Sequence, residues 1–313
     1  MNLINKKKYI NFNKPQEMKL TSFKLIKKKF GPFYYYPPIG YSSNFWYKKF
    51  NKLLNKKIKE KKYFPIFRMS DGEFTFLLGR YFYQYKFIDK ILYFLLHVKR
   101  SLYYKSTFYS SGRKGYCETY SLFDLKKLRI NFLENLKQIS KKGFICPNFS
   151  THILTKPYQK DILDLLSKNN IILNRSNYFG YYFVTDFFLG KNIKKIFKNK
   201  KILIFTSNMK KRKKNLKKNL EFFGAKEIQF YFTSLNAPMY DKIDLKKIKI
   251  NPDFVLVAAG VGSSNILVQL KNLKCLCVDC GFVVDALSDI DMARRRVYHL
   301  NDEFMFKKKW NSN

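Results

Sequence analysis

Four short apolar runs organise the second half of this chain: residues 201–206, 227–232, 253–258 and 274–279. Between them lie helix-period stretches, notably 209–223, closed by Gly224, and 263–270. Apolar runs of strand length, separated by crossovers long enough to hold a helix, do not pair as hairpins. They pair in parallel, with helices covering both faces of the sheet. The first half continues the pattern less regularly. Residues 63–69 and 144–147 read as strands, as does 171–174, and 71–80, 88–102, 122–140 and 157–168 read as helices. A short helix is expected over 241–248, and another helical turn begins near 285–288. The expected fold is α/β: a Rossmann-like, mainly parallel sheet flanked by helices, preceded by a basic N-terminal extension.

Three segments follow from this reading: an aromatic and basic extension over 1–55, an α/β domain over 56–300, and a basic tail over 301–313. Within the extension, Pro32, Pro37, Pro38 and Gly40 stand among tyrosines and phenylalanines, which indicates an irregular loop anchored by rings. Residues 44–62 have helical spacing through Trp46, Phe50, Leu53, Leu54 and Ile58.

The net charge is +40, from 62 basic and 22 acidic residues. Such an excess ordinarily points to nucleic acid or an anionic membrane. Here it is mostly lysine, scattered along the whole chain beside abundant Asn, Ile, Phe and Tyr, whereas a selected nucleic-acid surface concentrates charge in patches with Arg. Nucleic acid is therefore not the expected partner. The runs Lys210–Lys214 and Lys217–Lys218 read as a solvated helix face that would suit acidic lipid head groups. No apolar signal core follows the basic start, and no window reaches the roughly 20 apolar residues of a span. The expected location is cytoplasmic, with peripheral membrane contact.

The five cysteines, Cys117, Cys146, Cys275, Cys277 and Cys280, lack disulfide or zinc spacing and read as reduced core residues. His97, His152 and His299 are isolated.

Two constellations carry chemistry. In the first, a strand-type run ends at Arg68-Met69-Ser70-Asp71-Gly72-Glu73 and a helical pattern follows. Asp71 and Glu73 at a strand-to-helix turn suit a divalent cation, with positions left for phosphate oxygens. Ser70 and Glu73 equally fit a helix capping box, S-x-x-E. In the second, the strand at 253–258 meets Gly260-Val261-Gly262-Ser263-Ser264-Asn265. Gly260 and Gly262 permit close backbone approach, and the following helix start offers N–H groups and the Ser263 and Ser264 hydroxyls to a phosphate. Tight packing of strand on helix, without ligand, gives the same pattern. Val278-Asp279-Cys280-Gly281 follows one crossover later, and Ser207, Asn208 and the loop from Thr233 to Asp241 place further polar residues at strand ends.

The segment Arg68–Glu73 resembles the R-x-x-D-G-E signature of the GT-D-type glycosyltransferases, a family once known as a domain of unknown function that carries a D-x-E metal motif near its start. Residues 258–267, followed by Val278-Asp279-Cys280-Gly281, resemble its C-terminal strand–Gly–helix–strand-D-x-G segment. The ordered pair spans roughly residues 63–288 and leaves out the extension and the tail. Where relatives often have Gly-Pro, this chain has Gly260-Val261-Gly262, and a frequent histidine is Phe282 here.

The resemblance implies a nucleoside-diphosphate sugar donor, a UDP-sugar first among them, a Mn²⁺ or Mg²⁺ ion, and a glycan or lipid-linked glycan acceptor. It implies Asp71 and Glu73 as metal ligands. Arg68, Ser70, Gly72, Gly260, Gly262, Ser263, Ser264, Asn265 and Gly281 would lie along the donor, with Arg68 or Arg113 adding charge-assisted bonds. A general base is needed only if the reaction inverts, and Asp241 and Asp279 are both candidates. Two other classes remain: a nucleic-acid-binding protein, and a Rossmann-type methyltransferase suggested by the Gly260–Gly262 turn. The methyltransferase reading is weakened because the turn lies late in the alternating pattern.

Overall fold

The computed structural model describes residues 12–17, 34–78, 122–150, 158–207, 210–235 and 237–288. Its elements run β1 (Gln16–Glu17), β2 (Tyr34–Tyr35), α1 (Ser43–Glu60), β3 (Phe64–Met69), α2 (Asp71–Leu78), α3 (Leu122–Lys142), β4 (Phe144–Pro147), α4 (Gln159–Lys168), α5 (Tyr181–Leu189), α6 (Ile193–Phe197), β5 (Lys201–Ser207), α7 (Lys210–Phe222), β6 (Glu227–Thr233), β7 (Phe254–Ala258), α8 (Ser263–Gln269), β8 (Leu276–Asp279) and α9 (Phe282–Ser288).

Six strands form one sheet in the order β4-β3-β8-β7-β5-β6, with every pairing parallel. The central strands are buried along nearly their whole length, as parallel strands covered on both faces must be. Helices α2, α3 and α8 cover one face; Phe132 of α3 meets both Phe67 of β3 and Phe76 of α2. Helices α5, α7 and α9 cover the other, and Asn219 of α7 donates to the Leu287 carbonyl of α9 at 2.7 Å. Because α2 leaves β3 toward one face and α9 leaves β8 toward the other, the chain parts at the carboxyl ends of these two neighbouring strands. Doubly wound sheets bind ligands at such divergences.

The expected alternation is present, with three local differences. Residues 171–174 are not a strand. Ile171 and Leu173 are buried, but the Asn177 side chain takes the backbone bonds that a neighbouring strand would supply, accepting from Asn174 N–H and donating to the Ile172 carbonyl. Residues 241–248 hold only a 3₁₀ turn at Leu245–Lys247, preceded by another at Pro238–Tyr240. Helices α5 and α6 had no counterpart in the sequence reading: α5 is buried on all sides from Tyr182 to Leu189, so it lacks the polar stripe that marks an amphipathic helix. The expected helix over 88–102 lies outside the described residues, as do Cys117 and the three histidines. The other four cysteines are free and buried.

The expected boundary at residue 55 falls inside α1. Its residues Trp46, Phe50, Leu54 and Ile58 recur every fourth position and are buried, and its start is capped by Ser42, whose hydroxyl accepts from Phe45 N–H at 3.2 Å. Trp46 stacks on Phe179 and meets Phe183 edge-on at 4.7 Å, while Phe50 contacts Phe144 and Phe179. Tyr47 is hydrogen-bonded to the buried Asp186 of α5. Residues 34–60 therefore belong to the same core as the sheet. Trp46→Ala is expected to cost about 3–5 kcal/mol in urea unfolding. A cost near that of a surface substitution would show that α1 does not dock on the core.

Candidate functional site

Arg68 lies near the end of β3 and is only 2% exposed. A guanidinium in such a place needs its donors answered. Nε donates to the Asp279 carbonyl at 2.9 Å and Nη1 to Thr185 Oγ1 of α5 at 3.3 Å, and the group lies over the Tyr181 ring at 4.7 Å. The carboxylate of Asp279 is 3.8 Å from Nε and accepts the Arg68 backbone N–H at 3.2 Å. The Ser263 side chain and the Gly281 backbone, whose N–H is bonded to the Val257 carbonyl at 3.2 Å, are its other polar neighbours. Burial raises the proton affinity of Asp279, and the Arg68 charge and these neighbours oppose that rise.

Gly281 is required by this arrangement. Its φ is +42°, and a Cβ there would sit 2.6 Å from Nη2 of Arg68.

One residue beyond β3, the chain turns into α2. Ser70 N–H donates to Glu73 Oε2 at 2.8 Å, and the Ser70 carbonyl accepts the Phe74 N–H. This is the backbone half of a capping box, so the capping reading of Ser70 and Glu73 holds. It does not exhaust the acids. Glu73 is half-buried, and its carboxyl is pushed up to about 8 by burial first and by the nearby charges of Asp279 and Asp71 next. Three acids thus face one another across the β3–β8 crevice, with Arg68 the cation that acts on both Asp279 and Glu73. Asp71 and Glu73 supply hard oxygen donors at its mouth. Among the described residues no group of three or more Asp, Glu, His or Cys side chains is placed to hold a metal ion together, so any ion here would rest on two protein carboxylates.

The second constellation lies beside the first at Ser263, whose hydroxyl accepts the Ala259 N–H at 3.2 Å and whose side chain neighbours Asp279. Its glycine turn is packed by protein. A Cβ on Gly262 would lie 2.5 Å from Pro238 Cβ and 2.7 Å from the Pro238 carbonyl carbon, so this glycine admits the loop after β6. Gly262 N–H is bonded to the Ala259 carbonyl, and Ser263 N–H to that of Gly260. Ser264 is fully buried and donates to the Val261 carbonyl. Asn265 donates to the carbonyls of Pro238 and Asp241. The tight-packing explanation accounts for these contacts.

Asp241 is not brought to the acids by any contact. Its carboxylate accepts the N–H and the hydroxyl of Ser234, closing the loop after β6. Gly72 lies in the first turn of α2, and its carbonyl accepts from the Thr75 hydroxyl. Arg113 and Asn208 are outside the described residues.

No family model matches the chain, and no curated protein matches it. Two solved structures are similar to it. One is a selenomethionine-substituted structure of domain of unknown function 1792, with a TM-score of 0.40, 14% identity, and 77% of this chain and 86% of that chain covered. The other is described with the words "the highly conserved domain of unknown function 1792 has a distinct glycosyltransferase fold", with a TM-score of 0.41, 13% identity and the same coverage.

Sequence reasoning missed three contributors to the site. Thr185 and Tyr181 lie on α5, and their only signal was a buried Arg68 that needed partners. Asn148, just past β4, donates through Nδ2 to Ser70 Oγ at 3.3 Å.

The raised affinity of Glu73 for a proton sets a pH dependence. The folded chain holds this proton above the ordinary carboxylate range, where the unfolded chain has lost it. Stability is therefore greatest below about pH 4.5 as far as this group is concerned, and falls as pH rises through about 8. Glu73→Gln keeps an oxygen for the Ser70 N–H and carries no charge. It is expected to flatten the fall in melting temperature between pH 5 and 8. An unchanged slope would show that Glu73 titrates normally.

Proposed function

We propose that this protein is a metal-dependent glycosyltransferase that moves a sugar from a nucleoside-diphosphate donor to a hydroxyl acceptor. The observation that carries this reading is the acid cluster at the β3–β8 crevice: two carboxylates at the mouth of a parallel sheet, in a group of acids that the Arg68 charge does not fully offset. A doubly charged cation would relieve that repulsion, so the donor set fits the ion. The motif pair Arg68–Glu73 and Val278–Gly281 supports the same reading, since the two segments meet through Arg68 and Asp279.

Asp71 and Glu73 would hold a Mg²⁺ or Mn²⁺ ion. Such cations are commonly bound by one or two carboxylates, with substrate phosphates completing the sphere. Bound there, the ion would act as a Lewis acid on the leaving diphosphate. The other residues have roles of their own. Arg68 holds the ends of β3 and β8 together and keeps Asp279 in place beside Glu73. With its Nε, Nη1 and ring face occupied by protein, it acts through position more than by gripping a phosphate. Asp279 accepts the Arg68 backbone N–H, lies beside the Arg68 guanidinium and is 5% exposed, so it serves better as the hub of the crevice than as a base toward an incoming hydroxyl. The donor diphosphate would lie along the α2 side of the crevice, because Pro238 fills the space beside Gly262.

The acceptor we favour is a glycan, free or lipid-linked. On α7, Lys213, Lys214, Lys217 and Lys218 are exposed while Leu216, Asn219 and Leu220 are buried, which leaves a cationic face for an anionic membrane. No helix among the described residues is long and apolar enough to cross a membrane.

Isothermal titration with UDP, GDP and CDP, with and without Mn²⁺, tests the proposal. Nucleotide binding is expected to require Mn²⁺ and to weaken at least about 10-fold in Asp71→Asn with Glu73→Gln, the size usual for disturbing a metal site. Binding that ignores both the metal and the double substitution would contradict it.

A further inference from the structure

The loop that carries Asp71 and Glu73 is tied to the N-terminal extension by a buried chain of hydrogen bonds. Tyr35 of β2 is fully buried, and its ring packs against Trp46, Tyr182 and Phe183. Its hydroxyl accepts the Tyr182 N–H at 3.2 Å and donates to Asn148 Oδ1 at 3.4 Å. Ser150, also fully buried and bridged to Tyr35, donates to the same Oδ1 at 2.9 Å. Asn148 N–H is fixed to the Met69 carbonyl at 2.7 Å, and Asn148 Nδ2 donates to Ser70 Oγ at 3.3 Å. Ser70 N–H in turn is held by Glu73.

The orientation of the Asn148 amide follows from this chain. The Tyr35 hydroxyl already accepts the Tyr182 N–H, so it meets Asn148 as a donor; that end of the amide is the oxygen and the NH₂ end faces Ser70. Asn148 is 1% exposed, and both ends of its amide meet protein partners. A buried polar network held at both ends favours one arrangement of the groups it holds. The arrangement fixed here is the first turn of α2.

We infer that Asn148 is a positioning residue for the metal-holding turn, and that Tyr35 of the extension locks it in its working orientation. This rests on the reading of Asp71 and Glu73 as metal ligands. The extension is then part of the site's machinery in addition to its place in the core. Outer partners of this kind set ligand direction, and their loss typically weakens metal binding 10–100-fold.

The test is Mn²⁺ binding followed by electron paramagnetic resonance, with and without UDP. It compares the full-length wild type with Asn148→Ala, Tyr35→Phe, Tyr178→Phe and Asp71→Asn. Tyr178→Phe is the structural control: it removes a hydroxyl from the same aromatic cluster that is bonded to the Tyr36 carbonyl and not to Asn148 or Ser70. Asn148→Ala is expected to weaken Mn²⁺ about 10-fold. Tyr35→Phe should weaken it in the same direction by less, and Tyr178→Phe should bind as wild type does, although its thermal stability falls as much as that of Tyr35→Phe. If Asn148→Ala does not fold, Tyr35→Phe, which loses a single oxygen, decides. Wild-type affinity in the Asn148 and Tyr35 variants, or an equal loss in Tyr178→Phe, overturns the inference and leaves the metal reading standing. A wild type that binds no Mn²⁺, or an Asp71→Asn variant that binds it as tightly, overturns the metal reading and the inference with it.

Discussion

The buried pair of Arg68 and Asp279 is the constraint from which the rest of this site follows. It joins two neighbouring parallel strands at the edge where their following helices part. Breaking such a pair by removing one partner leaves an uncompensated charge in the core, which typically costs about 3–5 kcal/mol. The pair also reaches outward. Asp279 lies beside Ser263 at the start of α8, and Arg68 bonds to Thr185 of α5. Gly281 is glycine because the guanidinium occupies the space of a side chain.

The same pair explains the electrostatics at the mouth. Arg68 is one positive charge among three acids. Its bonds are directed at Asp279, and Glu73 is left holding a proton well above the carboxylate range. An enclosed surplus of acid is a cost to stability unless something cationic shares it. This is the physical reason for preferring a metal-binding role over simple helix capping, although Glu73 also caps.

Much of the sheet was legible in the sequence because parallel strands buried on both faces write themselves as unbroken apolar runs. Residues 201–207, 227–233, 254–258 and 276–279 are strands within a residue or two of their expected limits. Where burial is complete the signal fails. Helix α5, Tyr181–Leu189, is apolar on every side and carries no period, so its contribution of Thr185 and Tyr181 to Arg68 was invisible. Residues 171–174 have the alternation of a strand without a partner, since the Asn177 side chain stands where a strand would be. Asp71, Glu73 and Asp279 stood out in the sequence by their place at strand ends, and the family resemblance, more than their spacing, suggested a metal role for the first two. The Gly260–Gly262 turn was read partly as a phosphate cradle, and its glycine at 262 instead makes room for Pro238. Local sequence does not say what fills the space beside a glycine. Asn148, like Tyr35 more than a hundred residues before it, acquires its meaning only when the chain is folded.

The most direct measurement is anomalous diffraction from crystals grown with Mn²⁺ and UDP. One manganese peak within bonding distance of the Asp71 and Glu73 carboxylates, with Arg68 still bound to Asp279, is the predicted result. A manganese held elsewhere, or a nucleotide seated on the Gly260–Gly262 turn with no metal at the acids, would contradict the account.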